Sequence, residues 1–148
     1  MKGIACDITN KKEVTKLTDF VSRNGKFKSL LHTAGVSGSV KDLKKVFTID
    51  LIATKIVVDS FDKLANQDSV VVLLSSRMGH IIPANENWDS SLKNLQTVGS
   101  FEIVSEFVNG SSDMICNFAK RVVQLLAQKN ADKWDEKKQK LLSFRLGL

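Results

Sequence analysis

Short apolar runs and regularly spaced apolar residues follow one another along the first part of the chain. Residues 3–6 (Gly-Ile-Ala-Cys) are a short apolar run that predicts a strand, and Thr9-Asn10 then offers a cap for a helix over Lys11–Asn24. Apolar residues recur in that helix every three or four positions, and Asn24-Gly25 supplies its C-terminal stop. This part of the chain therefore predicts a strand that leads into an amphipathic helix.

The middle of the chain predicts two further strands with a long helix between them. Residues 29–35 indicate a strand that runs into a turn of small residues. In the helix predicted over residues 41–66, the apolar positions cover more than a narrow stripe, so we expect burial on more than one side. Residues 69–74 (Ser-Val-Val-Val-Leu-Leu) are typical of a parallel strand that is buried on both faces.

The pattern weakens after the third predicted strand and becomes regular again near the end. Residues 77–112 contain the only proline and a short amphipathic piece at residues 101–107. Asp113 can cap a last long helix over residues 114–129, and residues 140–144 predict a final strand. Strands and helices that alternate in this way favour an α/β protein with a doubly wound parallel sheet.

Composition narrows the class of protein further. The chain has 148 residues, of which 43% are hydrophobic and 26% are charged, and this balance predicts one globular domain with a single core. No apolar run approaches the roughly 20 residues of a membrane-spanning helix, and the first residues lack a signal peptide's apolar stretch, so we expect a cytoplasmic protein. Two cysteines cannot build a disulfide framework, and no Cys/His spacing resembles a metal site.

The net charge of +6 raises the question of an anionic partner. The lysines are scattered along the chain and alternate with Asp and Glu, which favours a solvated surface. No basic cluster or aromatic stacking platform accompanies them. We therefore expect neither a nucleic acid nor a membrane as a partner.

Five short motifs stand at the ends of predicted strands and on predicted helices. Residues 4–9 are Ile-Ala-Cys-Asp-Ile-Thr, residues 32–36 are His-Thr-Ala-Gly-Val, and residues 49–54 are Ile-Asp-Leu-Ile-Ala-Thr. They are followed by Leu-Leu-Ser-Ser-Arg-Met-Gly at residues 73–79 and Asn-Phe-Ala-Lys-Arg at residues 117–121. In this order the motifs resemble those of the short-chain dehydrogenase/reductase family, over essentially the whole chain.

The resemblance implies an incomplete Rossmann-like fold with three layers, α/β/α. It also implies NAD or NADP as the cofactor and a small carbonyl compound or alcohol as the substrate. Asp7 and Ile8 stand where the family contacts the adenine, and Ala34 and Gly35 stand at the strand end that borders the cofactor. Asp50 takes the place of the family's structural asparagine.

The same resemblance implies the catalytic positions. Ser76 matches the serine that orients the substrate carbonyl, and Lys120 matches the active-site lysine, which also contacts the cofactor. The family's tyrosine should stand four residues before this lysine, because one helical turn brings its hydroxyl beside the ammonium group. Cys116 occupies that place. The long gap between Ser76 and Cys116 is similar to the gap in 3α-hydroxysteroid dehydrogenase-like enzymes.

Two departures from the family's pattern bear on hydride chemistry. The tyrosine passes a proton to the carbonyl oxygen, and the neighbouring lysine lowers its pKa from about 10. A thiol ends well short of a phenol oxygen, acid–base catalysis needs heavy atoms within about 3 Å, and the chain contains no tyrosine at all. The Gly-rich turn that holds the pyrophosphate has no counterpart, since the chain begins at what resembles the third strand and is expected to be truncated.

Two functions remain open at this point. One is an NAD(P)-dependent oxidoreductase scaffold without turnover, and the other is a non-catalytic interaction module. In the module, the helices over residues 41–66 and 114–129 would pack against copies of themselves in a homo-oligomer. Three residues also allow two interpretations each. Cys116 is either an activated nucleophile or a small buried hydrophobe, and Lys120 is either a ligand group or a solvated lysine. Ser76 is either a substrate contact or a turn residue.

The truncation has a structural consequence. In the family, the first strand lies between the counterparts of residues 4–6 and residues 30–32. We expect residues 4–6 to pair instead with residues 30–32, through the right-handed crossover of the first helix, because an unpaired buried edge is costly. His32 is expected to make structural hydrogen bonds at the strand end.

Overall fold

Three parallel strands form the sheet. The structure is a computed structural model that describes residues 2–37, 39–82 and 100–146. Within these residues the strands are β1 (Ser29–His32), β2 (Val70–Ser76) and β3 (Lys140–Leu146), paired in that order and all parallel. The parallel α/β class expected from the alternation of strands and helices is therefore confirmed.

Helices fill the connections between the strands. Within the described residues they are α1 (Lys11–Asn24), α2 (Leu43–Phe47), a π turn (Thr48–Ala53), α3 (Thr54–Asp62), a 3-10 turn (Arg77–His80), α4 (Ser100–Val108) and α5 (Ser112–Glu136). The first helix has the predicted bounds, because the Asn10 side chain accepts from Lys12 N at the start and Gly25, with φ 148°, ends it.

The two later helices differ from their predicted bounds. The helix expected over residues 41–66 spans 43–62, and its α-helical hydrogen bonds are interrupted by the π turn. Ser111, not Asp113, caps α5 by accepting from Met114 N, and α5 runs to Glu136 instead of ending at residue 129. None of the helices within the described ranges combines the length and the apolar composition that crossing a bilayer requires.

Two clusters of buried side chains hold the described residues together. The first joins α2, the π turn, α4 and α5 through residues such as Phe47, Leu51 and Phe118. The second joins α1, α3 and α5 to the sheet; its buried members are Val14, Phe27, Val57, Val58, Phe61, Val71, Leu73, Val123, Ala127, Trp134 and Leu141. The wide apolar faces of the long helices are therefore filled within the chain, and the exposed large apolar residues of the described part lie elsewhere.

The helices pack on one face of the sheet. Val71, Leu73 and Leu141 are buried on that face, whereas their neighbours along the strands point to the other. Right-handed crossovers between strands that follow one another in a single direction place every connecting helix on the same side. The described residues thus form two of the three expected layers.

The predicted N-terminal strand is absent from this sheet. Residues 2–6 have no strand structure, Ile4 is 45% exposed, and no described residue pairs with the outer edge of β1. The prediction that residues 4–6 pair with residues 30–32 is therefore wrong. Cys6 of this segment, and Ile8 just after it, are partly buried against the second cluster instead.

Candidate functional site

A buried carboxylate lies at the carboxyl end of β1. Asp50 is 3% exposed, and its Oδ1 accepts a hydrogen bond of 2.8 Å from Val36 N in the loop after β1. The carboxylate projects from the π turn, a kind of helix distortion that is frequently found at functional sites. Ligands bind at the carboxyl ends of the strands in open parallel sheets, so Asp50 stands at the edge where a site is expected.

Burial disfavours the ionised form of the Asp50 carboxyl. Burial raises the pKa of its carboxyl above the ordinary value of 3.8, and the Val36 hydrogen bond and the Lys120 charge oppose this rise only in part. A carboxyl in such a place exchanges protons at a higher pH than an exposed aspartate does. This makes Asp50 a marker of the site, because perturbed titration is common where chemistry or binding occurs.

Replacing Asp50 by Asn tests this account of the buried charge. Because the folded state raises the pKa of Asp50, the group contributes stability that is fully present below pH 3.8 and is lost as the pH rises through the folded pKa. Asp50→Asn keeps an oxygen for Val36 N and removes the charge. We expect the free energy of unfolding of the variant, relative to the parent, to increase from pH 4 to pH 8 in urea titrations.

The control for this experiment is Asp19→Asn, at an exposed position of α1. This variant makes the same chemical change on the protein surface, so the pH dependence of the Asp50→Asn difference is measured against it. A parent protein that gains stability over Asp50→Asn as the pH rises would contradict the assignment.

Lys120 and Cys116 reach the same place from α5, one helical turn apart. A Cβ added to Gly35 would lie 3.2 Å from Asp50 Oδ1 and 3.7 Å from Lys120 Nζ. The backbone at Gly35 therefore lies between a carboxylate and an ammonium group. Cys116 Sγ lies 3.9 Å from Val36 O and 4.0 Å from Asp50 Oδ2. The structure thus brings Gly35, Asp50, Cys116 and Lys120 together.

His32 is linked to this cluster by hydrogen bonds through Thr54. Its Nε2 lies 3.1 Å from Thr54 Oγ1, and Thr54 Oγ1 donates to the Asp50 carbonyl at 2.9 Å, so Nε2 carries the proton in this bond. Burial is the main cause that lowers the pKa of His32, and the charge of Lys120 lowers it further. The expectation that His32 makes structural hydrogen bonds is confirmed.

The two serines at the end of β2 have different partners. Ser76 Oγ accepts from Met78 N at 3.2 Å and so caps the 3-10 turn. Ser75 is buried, and its Oγ donates to the Lys120 carbonyl at 2.9 Å. The hydroxyl of Ser76 thus acts as a helix cap, and Ser75 is the serine whose hydroxyl is bonded to the helix turn of Lys120.

Gln124 and Gly79 complete this connection between β2 and α5. Gln124 is 4% exposed, and its Nε2 donates to Ser75 Oγ at 3.0 Å and to the Ser76 carbonyl at 3.1 Å. A Cβ on Gly79 would lie 2.8 Å from Arg121 N, so the 3-10 turn touches the helix backbone directly. Sequence reasoning missed both residues. A signal for Gln124 was available, because it is a polar residue one turn after Lys120 on an otherwise apolar helix face.

The remaining predicted cofactor residues lie in two loops, one before α1 and one after β1. Asp7 is exposed and accepts from Thr9 N at 2.9 Å and from Thr9 Oγ1 at 2.8 Å; these two bonds are the causes that lower its pKa. With Thr48 and Ile49 of the π turn, Asp7 lines an open cavity of about 500 Å³. Ile8 packs against the second core cluster, and Ala34 is exposed.

The residues present do not fit a whole nicotinamide dinucleotide. Lys120, beside Gly35, is placed to meet a sugar or an anion at the strand ends. The pyrophosphate, however, requires closely spaced glycines at the start of a helix, and the eight glycines of this chain include no such set. No chemical step through a dinucleotide is therefore derived from these residues.

Solved structures match this chain, whereas no protein-family model and no curated protein does. The 3α-hydroxysteroid dehydrogenase from Pseudomonas sp. B-0831, complexed with NADH, matches with a TM-score of 0.74 and 15% identity, over 95% of this chain and 56% of its own. FabI from Alistipes finegoldii matches with a TM-score of 0.69 and 16% identity, over 98% of this chain and 51% of its own.

A short-chain dehydrogenase from Streptomyces avermitilis matches with a TM-score of 0.67 and 16% identity, over 98% of this chain and 47% of its own. The chain therefore spans about half the length of these structures. At such low identities, superposition over nearly the whole chain establishes the architecture. The chain has the fold of the short-chain dehydrogenases.

Proposed function

We propose that this chain is a short-chain dehydrogenase-type scaffold that does not transfer hydride as it stands. The observation that carries the proposal is the position of Cys116, whose Sγ lies within 4.0 Å of both Asp50 Oδ2 and Val36 O. The thiol is turned toward protein acceptors next to Lys120. A proton donor for a substrate carbonyl has to come within about 3 Å of that oxygen, and a thiol held in this way is too short to do so.

The ligand that this scaffold suggests is NAD or NADP with a small carbonyl compound or alcohol. Support comes from the motif order and from the 3α-hydroxysteroid dehydrogenase that was solved with NADH. In this proposal Gly35, Ala34 and Lys120 border the nicotinamide end, Asp7 and Ile8 border the adenine end, and Ser76 faces the substrate. Without a pyrophosphate-binding turn among these residues, we expect the dinucleotide to bind more weakly than about 1 mM.

Titration with NADH and with NADPH, followed by calorimetry and by nicotinamide fluorescence, tests the proposal. We expect no saturation below about 1 mM and no oxidation of NADH with small ketones. Saturable micromolar binding that is lost in Lys120→Met but kept in Lys129→Met would contradict the proposal. Lys129 is the matched control, because it is an exposed lysine on the same helix.

Cys116→Tyr separates the effect of the missing tyrosine from the effect of the missing pyrophosphate-binding turn. The change restores a phenol four residues before Lys120, so any reductase activity of the variant would show that the dinucleotide binds despite the missing turn. We expect the variant to remain inactive, because a restored proton donor cannot act without a held nucleotide. Lys129→Tyr, at an exposed position of α5, is the control for adding a phenol away from this site.

The second candidate function is an association module that forms a homo-oligomer. One observation favours it: large apolar side chains are exposed together on the sheet. The surface differs from the one that the sequence suggested, because the apolar faces of α3 and α5 are filled within the chain.

A further inference from the structure

The sequence contains two Asn-Gly pairs, and the fold places them in different surroundings. Asn24 is the last residue of α1 and Gly25 follows it, whereas Asn109 and Gly110 connect α4 to α5. In such a pair the glycine nitrogen can attack the asparagine side chain, because glycine has no Cβ to hinder the approach. Each pair is therefore a site at which the chain can lose ammonia without an enzyme.

Asn24 has a positive charge against its side-chain oxygen. Lys2 Nζ donates to Asn24 Oδ1 at 2.7 Å, although the two residues are 22 positions apart in the sequence. The oxygen that accepts this bond becomes negative when the amide carbon is attacked, and a donor already aimed at such an oxygen stabilises the charge. Asn24 and Gly25 are both exposed, and a Cβ added to Gly25 would meet no atom within 4 Å. The fold thus supplies both an electrostatic partner and room for the reaction.

The backbone around the two pairs also differs. Asn109 and Gly110 have φ values of 47° and 72°, and Ser111 N donates to the Val108 carbonyl at 3.0 Å, which closes a turn over the pair. The attack requires rotation of the asparagine backbone, so this turn has to open first. Among the described residues, no ammonium group bonds to the Asn109 side chain. Asn24, by contrast, is at a helix end, where the last turn frays.

We propose that Asn24 is the residue of these two pairs that deamidates first, and that Lys2 accelerates the reaction. The Gly25 nitrogen gives its proton to hydroxide and forms a bond to Asn24 Cγ, while Lys2 stabilises the negative charge on Oδ1. The bond between Cγ and Nδ2 then breaks, and ammonia leaves with a proton from water. A second water opens the five-membered imide at either carbonyl, which gives aspartate or isoaspartate at position 24.

The modification changes the end of α1. Asn24 Nδ2 donates to the Phe20 carbonyl at 2.7 Å, and aspartate has no side-chain N–H to replace this bond. The new negative charge also lies at the C-terminus of the helix, where the helix dipole disfavours it. The amide hydrogens of the last turn of α1 are therefore expected to exchange faster in the deamidated chain. None of this depends on whether a dinucleotide binds.

Incubation of the folded chain at neutral pH, followed by cleavage after lysine and mass spectrometry, measures the two sites separately. We expect aspartate and isoaspartate to accumulate faster at Asn24 than at Asn109. Lys2→Met removes the ammonium group and should slow the reaction at Asn24 by about two- to fivefold, the range for an exposed charge interaction, without affecting Asn109. Lys16→Met removes the same charge from an exposed position two turns earlier on α1, so it should leave both rates unchanged.

Three results would overturn the proposal. One is faster accumulation of isoaspartate at Asn109 than at Asn24, and the second is an Asn24 rate that Lys2→Met leaves unchanged. The third comes from the same incubation in urea. Because only the fold brings Lys2 to Asn24, the effect of Lys2→Met should disappear in the unfolded chain, and an equal slowing there would contradict the role of the Lys2 hydrogen bond.

Discussion

Replacing Trp134 by Ala is expected to lower the free energy of unfolding by about 3–5 kcal/mol, the range for large aromatic side chains in well-packed cores. Trp134 is 1% exposed and is the largest fully buried side chain of the described residues. It belongs to the cluster that joins α1, α3 and α5 to the sheet. The substitution leaves a cavity at the point where the last turns of α5 meet the strands, and the surrounding backbone cannot close it.

Urea unfolding monitored by far-ultraviolet circular dichroism measures this effect. Since a chain of this size is stable by roughly 5–15 kcal/mol, the variant should unfold at a midpoint lower by at least about 1 M. The midpoint of Trp134→Phe should lie between those of the parent and Trp134→Ala, because phenylalanine keeps part of the buried area. Lys129→Ala, at an exposed position of the same helix, should change stability by less than about 0.5 kcal/mol. A Trp134→Ala midpoint equal to that of Lys129→Ala would contradict the packing described here.

Trp134 also illustrates where the sequence pattern was insufficient. The polar stretch that begins at Gln128 interrupts the apolar periodicity of α5, so the predicted helix ended at residue 129. The helix continues to Glu136 because Trp134 reaches the core again, a tertiary contact that no local pattern displays. The first helix, by contrast, was predicted with its correct bounds, since its cap and its terminating glycine are local signals.

The strand predictions also succeeded where the signal is local and failed where it depends on distant residues. β2 was recognisable because a continuous run of β-branched and aliphatic residues is rarely anything else. Residues 3–6 are also apolar, but whether such a run pairs with another strand is decided by residues far away in the chain and not by the local pattern. The segment remains outside the sheet, and Cys6 packs on the helices.

The candidate site could be predicted only in outline. The resemblance to a known family singled out Gly35, Asp50, Cys116 and Lys120, and these residues do lie together. It could not reveal that Asp50 sits in a π turn, because one extra residue per turn leaves no mark in the hydrophobic pattern. Nor could it distinguish Ser75 from Ser76, since which of two adjacent serines turns inward depends on the register of the sheet.

The contact between the 3-10 turn and α5 is the part of the site that a single methyl group should disrupt. A Cβ at Gly79 would lie 2.8 Å from Arg121 N, 2.9 Å from Lys120 C and 3.0 Å from Gln124 Nε2. The first two are backbone atoms of a helix packed on both sides, so the helix or the turn has to shift. Gly79→Ala is therefore expected to cost about 1–3 kcal/mol of stability, as overpacking does.

The backbone conformation of Gly79 makes the experiment informative. Its φ is not among the positive values of the described residues, so alanine is allowed by its backbone and the penalty comes from contact alone. Where space is free, Gly→Ala stabilises a protein by about 0.4–1 kcal/mol through the unfolded state, and Gly3→Ala, with no atom within 4 Å of the added Cβ, should be neutral or stabilising. Opposite signs for the two variants in urea unfolding are expected. A Gly79→Ala protein as stable as Gly3→Ala would mean that the end of β2 and the turn of Lys120 are not held together as described.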